Sequence, residues 1–409
     1  MFRKLLTLEE AKAVLSQHFT PKPIGTEEVS LLEAYNRVLS EDVISDLNIP
    51  PFNRSTVDGY AVKAQDTFGA EENKPVMLKI YGEINIGELP KIKIADGETA
   101  EIVTGAPIPE GADAVVMLEH TERKDDVLYI YNAVGKDENV MKAGADIRKG
   151  ENVLKAGKLL GSKEIGVLAA LGKRKIQVYK TPNVAVLSTG AEISELGTKL
   201  LPGKIYDINA YSLSTAVAEN CGTPIYLGVF PDDEFKLHKV LKNALASADV
   251  ILTSGGVSVG PTDVIPKTLD SLGKPGVIIN GIAIKPGKPT TIAIVDGKPI
   301  FSLPGHPTSA LLVFHLLVRP IIQSMAGLKR RKILKVKAFA SARMISAKGR
   351  RTFIMVKLKR DKSNRLLAEP VPTGLSGAIT TMARANGFVE IPENQQFVDE
   401  NEKVVVCLF

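Results

Sequence analysis

Cysteine and histidine are scarce in this 409-residue chain, with two of the former, Cys221 and Cys407, and five of the latter. Two thiols separated by most of a domain cannot build a disulfide framework or a thiolate zinc centre, which points to a reducing compartment. Five histidines argue against a His-rich metal site, and His306 and His315 lie nine residues apart with no third ligand beside them. Long apolar runs are missing too. Residues 1–12 lack the apolar core of a secretory signal and read as the start of an amphipathic helix. The most apolar stretch, 310–322, is interrupted by His315, Arg319 and Pro320 and falls short of the roughly 20 residues that cross a bilayer. The expectation is a cytoplasmic protein without membrane contact, in which that stretch is a buried helix.

What the chain does contain is a globular composition, 44% apolar and 24% charged, which excludes disorder as its general state. Its length suggests about two to four folding units. Charge is unevenly placed. The net charge is +6, yet residues 327–360 hold thirteen Lys or Arg and no acid, so the remainder is net −7. That segment invites a nucleic-acid reading, but its aromatics, chiefly Phe339 and Phe353, are too few for a base-stacking surface, so nucleic acid is disfavoured as a partner.

The hydrophobic rhythm divides the chain into an α/β multidomain protein. Thr7 with Glu10 and Ser30 with Glu33 are two helix-start signatures, each a hydroxyl three residues before a carboxylate. They open a discontinuous, helical N-terminal domain expected over 1–50 and 143–178. Short strands separated by Gly, Pro and Asp make 51–142 a small β-rich module. From 179 to 326 continuous apolar strands alternate with helices such as 209–219, 234–246 and 264–272, the pattern of a parallel sheet covered on both faces. Residues 327–409 form a C-terminal β domain. Sheets of the parallel kind bind ligands where strand ends open into loops, so the loops after Leu187, Leu252 and Leu303 carry the chemistry.

The segment VILTSGGVSVGPTD, 250–263, leaves a strand through two glycines, two serines and a carboxylate. Gly255 and Gly256 permit close backbone approach, and Ser254, Ser258 and main-chain amides can surround an oxyanion, with Asp263 beyond them. It is neither a Walker loop nor a dinucleotide fingerprint, because the Lys-Ser/Thr pair is missing and the glycine spacing differs. LSTGAEI, 187–193, repeats the theme with Ser188, Thr189, Gly190 and Glu192, which suggests one shared pocket. FSLPGHPTSA, 301–310, brackets Gly305 with Pro304 and Pro307 at the entrance of a long helix, whose start attracts anions. IKPGKPT offers Lys285 and Lys288 to phosphate oxygens. In the β module, Asp58 of FNRSTVDGYAV and Thr104 of VTGAPIPEGAD stand at turns; taken alone, Asp58 is a turn residue.

Eight ordered segments, PPFNRSTVDGYAV, VTGAPIPEGADAVV, GADIRKG, LSTGAEI, GKIYDINAY, TSGGVSVGPTD, IKPGKPT and LPGHPTSA, together resemble the molybdopterin molybdenumtransferases, the MoeA proteins, which are similar to the E domain of gephyrin. The resemblance implies an elongated homodimer of four-domain subunits, with an active cleft shared between them. It implies insertion of molybdate into adenylylated molybdopterin with loss of AMP, dependent on Mg²⁺. Family acids map to Asp58, Glu192, Asp232 and Asp263 as catalytic residues, with Asp58, Glu192 and Asp263 as metal ligands. Binding residues map to Thr104, Asp146, Ser188, Thr189, Gly190, Ser254, Gly255, Gly256, Ser258, Lys285, Lys288, Pro304, Gly305 and Pro307. His306 departs from the family's usual Asn in the Leu-Pro-Gly-Asn-Pro turn. The competing functions are an ATP-dependent molybdopterin adenylyltransferase, whose α/β domain would look alike, and a gephyrin-like scaffold. An adenylyltransferase supplying the substrate is the implied protein partner.

Overall fold

The computed structural model describes residues 5–256, 264–329, 333–372 and 379–409. Its centre is a six-stranded sheet in the order Thr223–Phe230, Asn183–Thr189, Val250–Ser254, Lys298–Leu303, Thr291–Val295, Pro275–Asn280. The first four strands are parallel. Thr291–Val295 pairs antiparallel with both of its neighbours, so the expectation of a parallel sheet is corrected for that strand, while Pro275–Asn280 beyond it runs in the direction of the first four. The cause is local. Asp296 and Gly297 take φ values of 50° and 76°, a two-residue turn whose twist matches a hairpin and turns the chain straight back on itself.

Both faces of this sheet are covered. Val184 and Val186 face a core with Leu213 and Val217 of the helix Asn209–Glu219 and with Phe314. The alternate residues Ala185 and Leu187 face Leu237 and Leu241 of Glu234–Ser247 and Ile265 and Leu269 of Val264–Leu272. The helical stretch Pro307–Met325 is long and apolar enough to cross a membrane by length and composition, but 67% of it is buried inside the protein. Its hydrogen-bond ladder widens to a π turn over Phe314–Val318, just ahead of Pro320, which has no N–H to donate.

The first helix, Leu8–His18, has the full capping box between Thr7 and Glu10. It does not join the 143–178 segment as expected. Leu8, Ala11 and Leu15, one stripe at helical spacing, enter the core of the central sheet instead, and each leucine so buried contributes about 2 kcal/mol. The second signature forms its hydrogen bonds, from the Ser30 amide and hydroxyl to Glu33, but no helix follows. Leu31 and Ala34 pack inward, but Leu32 and Tyr35 are 85% and 67% exposed, so the segment buries only a narrow apolar face, and short helices with little packing are marginal. Asn36, at φ 59°, ends the turn.

The discontinuous unit is therefore mixed rather than helical: Thr26–Ser30 pairs with Lys175–Tyr179, Val43–Ile44 with Asn152–Leu154, and Ser162–Ala170 covers them. Its core joins Leu39, Leu160, Leu168 and Val178. In the β module the sheet order is Ala114–Met117, Gly59–Val62, Glu98–Ile102, Val76–Ile84, Val127–Ile130, Thr121–Lys124. The C-terminal domain closes on itself. Arg351–Arg360, Leu366–Pro370, Lys335–Ala340, Lys403–Leu408 and Gly387–Ile391 pair in that order, and the last returns to the first, which leaves this ring no free edge. Ile284–Lys285 of the α/β domain pairs with Arg351 and Thr352, and Arg351 also holds Glu9, Glu390 and Glu393.

Candidate active site

Parallel register brings the strand ends together: Ser188 lies opposite Ser254, and Ser254 opposite Leu303. The loops that follow enclose a cavity of about 620 Å³. Ser188, Thr189 and Glu192 line it from the first loop, Ser254, Gly255 and Gly256 from the second, and Pro304, Gly305, His306 and Pro307 from the third. Ile379 reaches it from the C-terminal domain and Pro289 from the Lys285–Lys288 turn.

The glycines are required by backbone crowding. At Gly255, φ 91°, a Cβ would collide with the carbonyl oxygen of Thr189. At Gly256, φ 64°, a Cβ would stand 2.6 Å from Thr189 Oγ1 and 3.2 Å from Asp232 Oδ1. At Gly190 it would meet the Glu192 carboxylate at 2.8 Å. At Gly255 and Gly256 the serine strand thus passes Thr189 with main chain against its carbonyl and hydroxyl oxygens, at positive φ, which is a packing that suits glycine.

Two residues of the GKIYDINAY segment, to which the sequence motifs assign no role, hold the cavity together. The buried Asp207 accepts from Ser188 Oγ at 2.8 Å and from the amide of Ala210 at 3.0 Å, so it caps the helix Asn209–Glu219 and fixes the first loop at once. Tyr226 OH donates to its other oxygen at 3.4 Å; burial, then the Asp207 charge, pushes that hydroxyl up to about 12. Asn209 Nδ2 donates to Ser254 Oγ at 2.7 Å and to the Gly305 carbonyl at 2.6 Å. One amide therefore ties the second loop to the third. The signal was present in GKIYDINAY, where Asp and Asn flank a helix start.

Buried polar atoms without protein partners mark the wall of the cavity. Thr189, 1% exposed, leaves Oγ1 unpaired, and Asn209, 8% exposed, leaves Oδ1 unpaired. Such atoms normally cost stability unless a ligand or water completes them.

The remaining expected residues are placed elsewhere. Asp232 lies against Gly256 but does not line the cavity, and neither do Gly190, Lys285 and Lys288. Asp58 and Thr104 form a separate exposed pair on the β module. The Thr104 amide and hydroxyl donate to Asp58 Oδ1 at 2.6 and 2.8 Å, which holds the Asp58 carboxyl below its ordinary value. Asp146 is exposed beyond the module, its amide bonded to the Ile49 carbonyl. Ser258 and Asp263 lie outside the described residues. A hard cation takes oxygen ligands; the wall offers the Glu192 carboxylate and Thr189 hydroxyl, with Asp232 behind Gly256. Among the described residues no three His, Cys, Asp or Glu side chains gather to hold a metal. These donors fit an ion completed by substrate phosphates and water rather than a closed protein cage.

Comparison with known proteins covers nearly the whole chain. The model of the MoeA N-terminal region (domain I and II) matches residues 6–172, that of a "Probable molybdopterin binding domain" residues 185–324, and that of the MoeA C-terminal region (domain IV) residues 337–409. The molybdopterin molybdenumtransferase of Nostoc sp. is 34% identical, over 93% of this chain and 88% of its own. That of Haemophilus influenzae is 33% identical over 98% of both. A solved molybdopterin biosynthesis MoeA protein from Pyrococcus horikoshii is 43% identical, with 99% of both chains covered and a TM-score of 0.80. A second one from that organism is 32% identical, covers 99% of this chain and has a TM-score of 0.82.

Proposed function

The chain belongs to the MoeA family of molybdopterin molybdenumtransferases, and on that premise we propose that it inserts molybdate into adenylylated molybdopterin and releases AMP. It is a transferase of molybdenum cofactor biosynthesis with molybdopterin and molybdate as its substrates. The observation that carries the finer reading is the meeting of three glycine- and hydroxyl-bearing strand ends in one cavity whose wall holds unpaired polar atoms.

The chemistry follows from charge. The substrate brings phosphates and molybdate brings two negative charges, so the site must gather donors and cations. The Thr189 hydroxyl, the Gly256 amide and Ser258 are the donors for the phosphates, and Ser188, Gly190, Ser254 and Gly255 shape the loops that present them. Pro304, Gly305 and Pro307 shape a rigid recess for the oxyanion, with Lys285 and Lys288 nearby in the chain to neutralise it. Mg²⁺, when bound, would neutralise the phosphoanhydride oxygens. Glu192 and Asp263, with Asp58, are the side chains that would hold it, and Asp232 stands behind Gly256.

Asp58, Thr104 and Asp146 belong to the same reaction in this reading, although none lines the cavity of its own chain. A homodimer in which one subunit presents its β module to the other's cavity reconciles the two sets, and a cytoplasmic adenylyltransferase would supply the substrate. In the adenylyltransferase alternative the α/β domain would act alone, and the matches over 6–172 and 337–409 disfavour it.

The test supplies purified protein with adenylylated molybdopterin, molybdate and Mg²⁺, and follows AMP together with reconstitution of a cofactor-free molybdenum enzyme. AMP release and reconstitution are expected, both lost with a chelator. ATP consumption with plain molybdopterin would overturn the reading in favour of adenylylation.

A further inference from the structure

The amide of Asn209 can face only one way. The Gly305 carbonyl oxygen accepts and never donates, so the atom 2.6 Å from it is the nitrogen. The second N–H goes to Ser254 Oγ at 2.7 Å, and that hydroxyl turns toward the Pro304 carbonyl, 3.4 Å away. Both amide protons are therefore spent on the protein. The oxygen is fixed by the same two bonds, buried, and without a partner.

An acceptor in this position cannot serve a phosphate or molybdate oxygen, since those groups carry no proton to give at neutral pH and would repel it. Its neighbours are of a different kind. Ile193, Ile205, Tyr206 and Ile208 line the same cavity and provide apolar surface for a flat ring. The cavity thus combines glycine and serine loops suited to anions with apolar side chains and one fixed carbonyl acceptor.

We propose that Asn209 Oδ1 accepts a hydrogen bond from the exocyclic amine of the substrate's heteroaromatic ring, and that this contact selects amine-bearing ligands. An amine projects beyond its ring and reaches a recessed acceptor, whereas a ring N–H stays in the ring plane's edge. Two sources of that amine exist in an adenylylated pterin, the pterin and the adenine. The inference rests on the reading of the cavity as the substrate site and adds a specificity residue to it. Asn209 at the same time positions Ser254 and Gly305, so loss of its side chain alone would not separate the two roles.

Ligands that differ only in the amine separate them. Calorimetric affinities are measured on the full-length protein for AMP against purine riboside 5′-monophosphate, and for 6-hydroxymethylpterin against its 2-deamino analogue. The wild-type protein is expected to prefer the amine-bearing member of one pair by about tenfold or more, the effect of one buried hydrogen bond. Asn209→Leu is expected to weaken both members and bind them equally. Asn209→Asp, which keeps an acceptor, is expected to retain part of the preference. Preference in the adenine pair alone assigns the amine to adenine, and preference in the pterin pair alone assigns it to the pterin.

Equal affinities within both pairs for the wild-type protein would overturn the proposal without any variant, and so would a preference that survives in Asn209→Leu. If adenylylated molybdopterin is turned over while neither pair is discriminated, only the role of Asn209 falls. If no ligand binds and no AMP is released, the assignment of the cavity as the substrate site falls with it.

Discussion

Thr104 gives Asp58 two hydrogen bonds on one oxygen, from its amide at 2.6 Å and its hydroxyl at 2.8 Å. These stabilise the charged carboxylate and hold its titration below the ordinary value, first through the amide and then through the hydroxyl. Thr104→Val removes the second bond and leaves the first. The Asp58 carboxyl, followed by carbon-detected NMR titration, is expected to shift upward in the variant, and the acid limb of AMP release is expected to move in the same direction. An unchanged titration would show that the hydroxyl contributes nothing.

Asp58 is exposed and pairs with no buried group, so Asp58→Ala should leave thermal unfolding nearly unchanged, within about 0.5 kcal/mol. Its AMP release is expected to drop at least roughly tenfold, as for loss of a group acting at the reacting centre. Asp263→Asn is expected to behave in the same way. Parental activity in both variants would contradict their roles.

A cavity completed by a second subunit predicts complementation. Asp58→Ala damages the donated module and Ser254→Ala the cavity, so each homodimer has two defective sites. Mixed dimers contain one site with both defects and one with neither. Unfolding and refolding the two variants together is expected to restore activity well above either alone, and mixtures no better than the parents would mean that each chain works by itself.

Gly255→Ala is expected to destabilise by about 3 kcal/mol or more and to abolish ligand binding, because its Cβ has no room against the Thr189 carbonyl and its φ is positive. Gly297→Ala also sits at positive φ, with nothing within 4 Å. It should cost only about 1 kcal/mol and leave binding intact. Chemical denaturation curves of the two variants check the difference.

His315 packs against the rings of Phe314 and Phe409, centroids 5.8 and 5.2 Å away. Burial, with Arg319 adding to it, lowers its titration to about 4 from an ordinary 6.5. Between those values the unfolded chain binds a proton that the folded chain refuses, so this group's contribution to stability falls as pH drops from 6.5 to about 4 and is constant below. The loss reaches up to about 3 kcal/mol across the window. His315→Leu is expected to flatten that part of the stability profile; an identical slope in the variant would show that other groups cause it.

The legible part of the site was its chemistry at the strand ends. Ser188, Thr189, Ser254 and Gly255 announced themselves because a buried strand that ends in small hydroxyl residues and glycine needs a reason beyond turning. Asp207 and Asn209 carry no such signal, because each looks, in sequence, like an ordinary polar residue near a helix start. Their bonds run to Ser188, Ser254 and Gly305, 19, 45 and 96 residues away. Similarly, Ser30 and Glu33 form a helix-start pairing that is satisfied locally, yet the chain breaks off at Asn36, φ 59°, before a helix forms.

Local pattern alone determined the alternation of strand and helix, the positions where backbone must be glycine, and the family, because periodicity, turn chemistry and motif order are properties of neighbours in the chain. Only the tertiary structure decided which side of the molecule the first helix joins, that one strand of the central sheet runs backwards, and that Asp58 stands apart from the cavity. Those outcomes depend on which apolar faces find each other across the chain and on one two-residue hairpin, and contacts of that kind are settled by packing between distant segments, not by the residues beside them.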